Sequence, residues 1–301
     1  MKYAIVDFGS NTVRLSVYDT LENGGFSLLF SEKEMVGIIN YIDRDRLSQE
    51  GVRKACSVLQ KFQNLLRHFG IQEMHVFATA SLRNIANTGE VLEEIYRSTG
   101  IAVDLIPGDL EAKLGYYGVI ADGDWKNGAM FDIGGGSTEI LEVENGQICR
   151  AESFPIGSLN LFSQYVGHIW PKSKELEQMQ KRVRQILTHA DLPQKKVEAV
   201  CGIGGTARAV LKIANAYYGR DTECRSMTLD ELDEIKNLLF KRNRKAQKLI
   251  LRACPDRIHT ILPGLSIMHA VGKTLRCEKI RISKYGVREG YLCHKLVNHT
   301  I

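Results

Sequence analysis

The residues best placed to do chemistry lie in one stretch, AMFDIGGGSTEIL, residues 129–141. An apolar run ends at Asp132, passes through Gly134, Gly135 and Gly136, and continues by way of Ser137 into a second apolar run that carries Glu139. Three glycines remove every Cβ from the turn, so backbone N–H groups can approach an anion closely. Asp132 stands at the lip of the turn and Glu139 just beyond it. The layout suits a phosphate flanked by carboxylates that could serve a metal ion or a water. Taken alone, the same glycines also fit a tight structural hairpin.

A second copy shifts that balance. The opening of the chain, AIVDFGSNTVRLSVYD, aligns without a gap to AMFDIGGGSTEILEVE. Asp7 matches Asp132, Gly9 matches Gly134, Thr12 matches Ser137, and Arg14 stands where Glu139 stands. Each copy closes on an Asn-Gly turn, a hairpin signal. A structural hairpin has no reason to repeat an aspartate and a hydroxyl at matching offsets. We therefore read Gly9, Ser10 and Asn11 with Arg14, and Gly134, Gly135, Gly136 and Ser137, as two phosphate-binding loops. Asp7, Asp132 and Glu139 are candidate oxygen ligands for Mg²⁺, which keeps several waters and few protein ligands; Glu139 also reads as an outward strand residue paired with a base. A third glycine-rich turn, Gly202-Ile203-Gly204-Gly205-Thr206, runs into a helical pattern whose N-terminus can accept an anion. Arg83 follows the strand pattern HVFATA, where an α/β sheet places ligand contacts, and its fork can clamp a phosphate; a plain surface arginine reads the same way. Glu111 is either a general base or a first-turn carboxylate that favours the helix dipole.

The elements that must position these groups alternate in character. Lys2–Phe8, Thr12–Tyr18 and Phe26–Met35 read as an antiparallel meander. A capped amphipathic helix follows from Ser48 to Phe69, then a strand over 75–80, a helix over Thr88–Thr99 and a strand over 101–106. Asp109–Val119 reads as a helix, and Asp122-Gly123-Asp124 as the boundary between a first domain, 1–124, and a second, 125–301. The second half repeats the plan: a strand over Gln147–Phe154, a charged helix over 172–189, a strand over 197–201 and a helix over 207–217. Thr228 and Glu231 form a capping box. A long helical pattern over 257–276 is interrupted by Pro263-Gly264. A last strand at 280–283 precedes a closing helix over 287–297, which we expect to pack back on the first domain. Strands alternating with helices after a meander define a mixed α/β sheet.

The 301 residues carry a net charge of +5, a mild excess that suits a polyanionic substrate without calling for nucleic acid. No apolar run reaches the ~18 residues that span a bilayer, and the N-terminus lacks a signal pattern, so the expected location is the cytoplasm. Seven scattered cysteines without a C-x-x-C pair indicate neither a zinc site nor a disulfide framework. There is no H-E-x-x-H and no G-x-S-x-G. The basic run Lys241–Lys245 with Lys248 reads as a solvated helix face or an anion-steering patch.

Seven segments, in order, resemble the exopolyphosphatase / guanosine pentaphosphate phosphohydrolase (Ppx/GppA) family: VDFGSNTVRL, FATASLRN, PGDLEAKLGYYGV, FDIGGGSTEI, GIGGTARAV, ILPGLSIMHA and YGVREGYL. The resemblance covers nearly the whole chain and fits the short form of the family. It implies two ribonuclease-H-like domains of the actin, sugar kinase and Hsp70 superfold with a cleft between them. It also implies Mg²⁺-dependent hydrolysis of a terminal phosphoanhydride, on inorganic polyphosphate or guanosine pentaphosphate, with a homodimer as the family-level expectation. By the same resemblance Glu111 is the catalytic base, Asp132 and Glu139 lie near the metal and the attacking water, and Arg83 contacts phosphate. Leu110 departs from the family by replacing the first of two usual glutamates. Gly204-Gly205-Thr206 varies the family's S-G-T turn. A kinase or ATPase of the same superfold, and a non-catalytic sensor of guanosine tetraphosphate or polyphosphate, are the readings from other classes. The Leu110 departure lends the sensor some weight.

Overall fold

A computed structural model of the chain describes residues 1–21, 25–190, 192, 196–197 and 199–297. Its contacts divide it into two compact units, the first Met1–Gly108 with the segment that starts at His294, the second Asp109–Cys293. The helix that carries Glu111 thus groups with the second unit, whereas a division at residue 124 places it with the first.

In the first unit, β1 (Lys2–Phe8), β2 (Thr12–Thr20) and β3 (Phe26–Met35) form the expected antiparallel meander. A 3₁₀ turn, Ile38–Tyr41, leads into the short hairpin β4 (Ile42–Asp43) and β5 (Arg46–Leu47). Ser48 then caps α1 (Gln49–His68) by accepting from the Gly51 N–H. β6 (Met74–Ala78), α2 (Ala80–Arg83), α3 (Thr88–Thr99) and β7 (Val103–Leu105) follow. β6 and β7 add in parallel beside β1, and the sheet order is β3-β2-β1-β6-β7. The apolar face of α1 (Ala55, Leu59, Phe62, Leu66) buries against Ala4, Val6, Phe8 and Val13 of the sheet. Each fully buried side chain of that size contributes ~1.5–3 kcal/mol relative to exposure.

The second unit opens with α4 (Gly108–Asp122), followed by β8 (Gly128–Ile133), β9 (Thr138–Glu144) and β10 (Gln147–Phe154). Then come α5 (Ser158–Tyr165), α6 (Ser173–His189), β11 (Ala199–Ile203), α7 (Gly204–Tyr218), β12 (Ser226–Thr228), α8 (Leu229–Phe240), α9 (Arg244–Ala253) and α10 (Ile261–Thr274). β13 (Lys279–Ile282) and α11 (Val287–Tyr291), which continues as a π turn over Leu292–Leu296, complete it. The order β10-β9-β8-β11-β13-β12 repeats the first unit's antiparallel meander and two parallel additions, with β12 as an extra antiparallel edge. This repeated plan is the ribonuclease-H-like arrangement, and with it the chain has the two-domain fold of the actin-like class.

The six-stranded sheet is covered differently on its two faces. α6, α7, α8 and α10 bury one face in the larger core, around Phe131, Ile280 and Ile282. α4 covers the other, where Ala112, Tyr116 and Val119 meet Met130, Leu141 and Cys201. Two glycines fix how α4 is held. A Cβ on Gly118 would fall 2.1 Å from the Gly286 carbonyl oxygen, and one on Gly290 would fall 1.8 Å from that of Leu114. Only bare backbone allows α4 and α11 to lie so close, which is the local reason for the glycines of YGVREGYL.

Some elements differ from the sequence reading. Gly204 and Gly205 are the first turn of α7 rather than a loop before it. Pro263 and Gly264 fall in the first turn of α10 instead of interrupting a longer helix, and Pro255–Arg257 form a separate 3₁₀ turn. A proline is tolerated in a first turn because its missing N–H has no partner there. The closing helix stops at Tyr291 as an α-helix, and the chain from His294 groups with the first unit, where Lys295 pairs with Asp104 at 3.2 Å. The capping box of Thr228 and Glu231 is formed as read.

Candidate active site

In the second unit, β8 delivers Asp132 and β9 receives Glu139, and antiparallel register sets the two residues directly opposite each other. The Gly134 N–H donates to the Ser137 carbonyl at 2.9 Å and closes the turn. The turn's carbonyls are occupied from outside. Ser158 N–H donates to Gly134, and Leu159 and Asn160 N–H groups donate to Gly135, at 2.9–3.0 Å. The Asn160 side chain donates to Gly136 at 2.9 Å. The first turn of α5 thereby fixes the loop. The N–H groups of Gly135, Gly136 and Ser137 donate no hydrogen bond among the described residues, which leaves three donors for an anion.

Three carboxylates interact here. Glu139 is 1% exposed and Glu111 is 7% exposed. Burial, then repulsion from Glu111 and Asp132, pushes the Glu139 carboxyl well above the usual glutamate value, against hydrogen bonds from Ser137 and Ser153. The Ser153 hydroxyl on β10 donates to Glu139 Oε1 at 2.7 Å. Glu111, in the first turn of α4, is therefore buried near two other acids rather than a solvated dipole partner. No three His, Cys, Asp or Glu side chains are gathered tightly enough for a protein-only metal cage among the described residues. Mg²⁺ fits this donor set nonetheless. It takes one or two carboxylates and fills its remaining positions with water and substrate oxygens, and a divalent cation would relieve the mutual repulsion of Asp132, Glu139 and Glu111.

The glycine-rich start of α7 meets the same acids. Gly204 has φ +78°, and a Cβ there would fall 2.1 Å from Asp132 Oδ1. A Cβ on Gly205 would fall 2.0 Å from Arg257 Nη2. The two glycines leave room for a carboxylate and a guanidinium at a helix N-terminus that has no side-chain cap, a favourable place for negative charge. Thr206 is buried, with its methyl against Gly264 of α10. Arg208 lies one turn further along α7. Burial, then Arg288 and Arg257, pushes its guanidinium pKa down, with Asp132 and Glu289 opposing. Arg257 is likewise lowered by burial. Arg208, Arg257 and Arg288 escaped the sequence reading. Their spacing carries no period, and only the tertiary fold brings Arg208 and Arg257 into the field of Asp132 and Arg288 into that of Arg208; the one sequence signal was the bare Gly204-Gly205 step beside Arg257.

The first unit has its own version. Asp7 on β1 lies opposite Arg14 on β2, and the Gly9 N–H donates to the Thr12 carbonyl at 3.1 Å, as Gly134 does to Ser137. The N–H groups of Ser10 and Asn11 donate no hydrogen bond among the described residues. Arg14 Nη1 donates to the Ser31 hydroxyl at 3.2 Å. The Ser81 hydroxyl donates to the Phe8 carbonyl and ties α2 to this turn, and Arg83 Nη1 donates to the Ile106 carbonyl at 2.8 Å. Asp7, Gly9, Ser10, Asn11, Arg14 and Arg83 thus gather at the C-terminal ends of β1, β6 and β7, while Asp132, Glu139, Glu111 and the two glycine turns gather at the equivalent ends in the second unit.

A duplicated ribonuclease-H-like unit with a glycine turn flanked by acids defines an actin-like phosphate-handling protein. Residues 17–299 match the model of the Ppx/GppA phosphatase family, and the chain belongs to that family. A Haemophilus influenzae protein named as a candidate exopolyphosphatase is 26% identical over 295 residues, covering 96% of this chain and 90% of the relative. Among solved structures, an exopolyphosphatase from Cytophaga hutchinsonii superposes with a TM-score of 0.86 at 21% identity, covering 99% of this chain and 98% of that one. The Aquifex aeolicus Ppx/GppA family member gives 0.81 at 22% identity, covering 100% and 99%. At these identities the structures establish the fold.

Proposed function

We propose that the protein is a Mg²⁺-dependent hydrolase that removes terminal orthophosphate from inorganic polyphosphate. The observation that carries this reading is the convergence of Glu111, Asp132 and Glu139 on a glycine turn with three unpartnered N–H donors. In this scheme Asp132 and Glu139 of the second unit would hold the metal. When bound, Mg²⁺ offsets charge on the phosphoryl oxygens. The N–H groups of Gly135, Gly136 and Ser137 donate to the terminal phosphate, and those of Gly204 and Gly205 donate to further phosphoryl oxygens. Gly9, Ser10, Asn11, Arg14 and Arg83 bind phosphate in the first unit. A carboxylate oxygen of Glu111 takes the proton from a water as its oxygen bonds to the terminal phosphorus. The bond from phosphorus to the bridging oxygen breaks, and that oxygen leaves with the shortened chain.

Guanosine pentaphosphate presents the same bond and is the alternative substrate; the family's description covers both activities. Parallel assays of orthophosphate release from long-chain polyphosphate, tripolyphosphate, guanosine pentaphosphate and ATP, with Mg²⁺ and with chelator, test the reading. Polyphosphate turnover that needs Mg²⁺ supports it, and a strong preference for guanosine pentaphosphate selects the alternative. Binding without turnover would identify a sensor, and ADP formation coupled to acceptor phosphorylation a kinase. General-base catalysis contributes ~10²–10⁴-fold, so Glu111→Gln should lower kcat by that factor with KM little changed. Near-wild-type turnover in that variant refutes the assignment of Glu111.

A further inference from the structure

A cavity of about 340 Å³ opens in the second unit, lined by Trp125, Ala199, Arg225, Ser226, Lys279 and Arg281 together with Val200. It lies at the opposite end of the sheet from the acids. Ala199 and Lys279 are the first residues of the parallel strands β11 and β13, whereas Asp132 and Gly204 stand at the far ends of β8 and β11. At ~3.3 Å per residue the five residues of β11 separate the two places by roughly 15 Å.

The cavity follows from how the sheet is covered. Along β13, Ile280 and Ile282 face the larger core, so Lys279 and Arg281 face the side of α4. α4 ends at Asp122 and covers β8, β9 and β11 but leaves β13 and β12 bare. Asp122 then fixes one wall. It accepts two hydrogen bonds from Arg225 Nη1, at 2.7 and 3.0 Å, and others from the Ser283 hydroxyl and the Lys284 N–H. Trp125 forms the other wall, held where its carbonyl accepts from the Tyr116 hydroxyl at 3.0 Å.

Three features of this cavity have no structural account. Arg281 has no carboxylate within ion-pair distance among the described residues, and its guanidinium rests on the backbone of Gly123. The exposed Lys279 has no ion-pair partner among the described residues and meets the longer-range field of Glu231, which Arg220 already holds. The indole Nε1–H of Trp125, a residue 8% exposed, is buried without an acceptor among the described residues. A buried donor left unmade costs ~1–3 kcal/mol.

We propose that this cavity binds a mononucleotide, with its phosphate on Arg281 and Lys279 and its base against Trp125. Uncompensated cations call for an anion. An inorganic anion would leave the apolar lining of Trp125, Ala199 and Val200 uncovered, while a heterocyclic base supplies a flat apolar ring to cover it. Tryptophan is also the aromatic on which a flat ring stacks well. The volume lies at the small end of the ~300–1,000 Å³ range of small-molecule sites, room for one nucleotide rather than an oligonucleotide.

The chain has two tryptophans, so the full-length Trp170→Phe protein reports on Trp125 alone. Titration with GMP and AMP should change its emission saturably, and calorimetry on the unsubstituted protein should give the matching heat. Arg281→Gln should weaken both at least tenfold, with an unchanged melting curve and unchanged orthophosphate release. Three results overturn the proposal: no emission change or heat with either nucleotide at millimolar concentration; nucleotide binding that is indifferent to Arg281→Gln and Lys279→Gln, which places it elsewhere; or orthophosphate binding as tightly as GMP, which removes the base from the recognition.

Discussion

Glu139 makes the electrostatics of the glycine turn measurable without substrate. Its carboxyl is raised by burial and by Glu111 and Asp132. The native state therefore holds a proton that the unfolded chain releases near the ordinary glutamate value of about 4.3. Stability from this group is fully present below that value and is lost as pH rises through the raised folded pKa, because there the unfolded state binds fewer protons. The slope is at most about 1.4 kcal/mol per pH unit for one proton. Glu139→Gln removes the titration while keeping the shape and the acceptor for the Ser153 hydroxyl. In chelator, urea unfolding of both proteins at pH 5, 6, 7 and 8 should show the glutamine variant gaining on the wild type by up to ~1.4 kcal/mol per unit within that window. Mg²⁺ should reverse the order. At one hundred times its dissociation constant it stabilises a binding-competent protein by ~2.7 kcal/mol, and the variant should gain much less. A constant stability difference between the two proteins from pH 5 to 8 in chelator would refute the picture of three interacting acids. Equal stabilisation of both by Mg²⁺ would refute Glu139 as a ligand.

Other perturbations reach the same structure from different sides. Ser153→Ala removes a hydrogen bond that lowers the Glu139 carboxyl, so the acid limb of kcat/KM for phosphate release should move to higher pH. Gly204→Ala puts a Cβ at φ +78° and against Asp132 Oδ1; urea unfolding should show a loss of ~1–3 kcal/mol, and activity should fall because Asp132 must move. Asp122 is pushed up by burial, but hydrogen bonds from Arg225, Lys284 and Ser283 leave it below the usual aspartate value. Its stabilisation is present above that usual value and is lost as pH falls through the folded one. Asp122→Asn should accordingly destabilise by ~1–3 kcal/mol at pH 7, with the gap to wild type narrowing on acidification.

How much of this was legible in the sequence depended on the range of the interaction. The two β-hairpin loops were readable because strand–turn–strand is local: alternation, a glycine turn and an Asn-Gly closure all fall within some twenty residues. The repeat of AIVDFGSNTVRL in AMFDIGGGSTEI even carried the register, since Asp7 opposite Arg14 and Asp132 opposite Glu139 follow from equal loop lengths. Burial was harder to read. Glu111 sits in a first helical turn, where a glutamate is common, and its 7% exposure comes from the close packing of α4 on the sheet and on α11. The short strands β4, β5 and β12 and helix α2 offer too few residues for a period to stand out. The arginines were least legible of all. Arg208, Arg257 and Arg288 lie 49 and 31 residues apart in the chain, and an arginine at the head of a helix looks the same whether it faces solvent or an acid.

The two loops differ in one residue that decides what each can do. In the first unit the aspartate faces Arg14, so the pair is close to neutral and has no excess negative charge to draw a cation. In the second the aspartate faces Glu139, and a third carboxylate, Glu111, adds to the repulsion. Keeping three acids ionised in a largely buried place costs free energy unless protons or a cation are present. Two backbones with the same hydrogen bonds at Gly9 and Gly134 thereby differ in the charge set opposite their aspartates. A loop with an arginine can grip a phosphoanion, and a loop with a surplus of carboxylates can hold the metal and receive a proton. The arginines around Asp132 fit the same division. Arg257 and Arg208 temper the field of the acids on the α7 side without facing Glu139 across the β8–β9 ladder, whose hydrogen-bonding neighbours are Ser137 and Ser153. The acid pair thus flanks the turn whose Gly135, Gly136 and Ser137 N–H groups, with no hydrogen bond among the described residues, would present a phosphate.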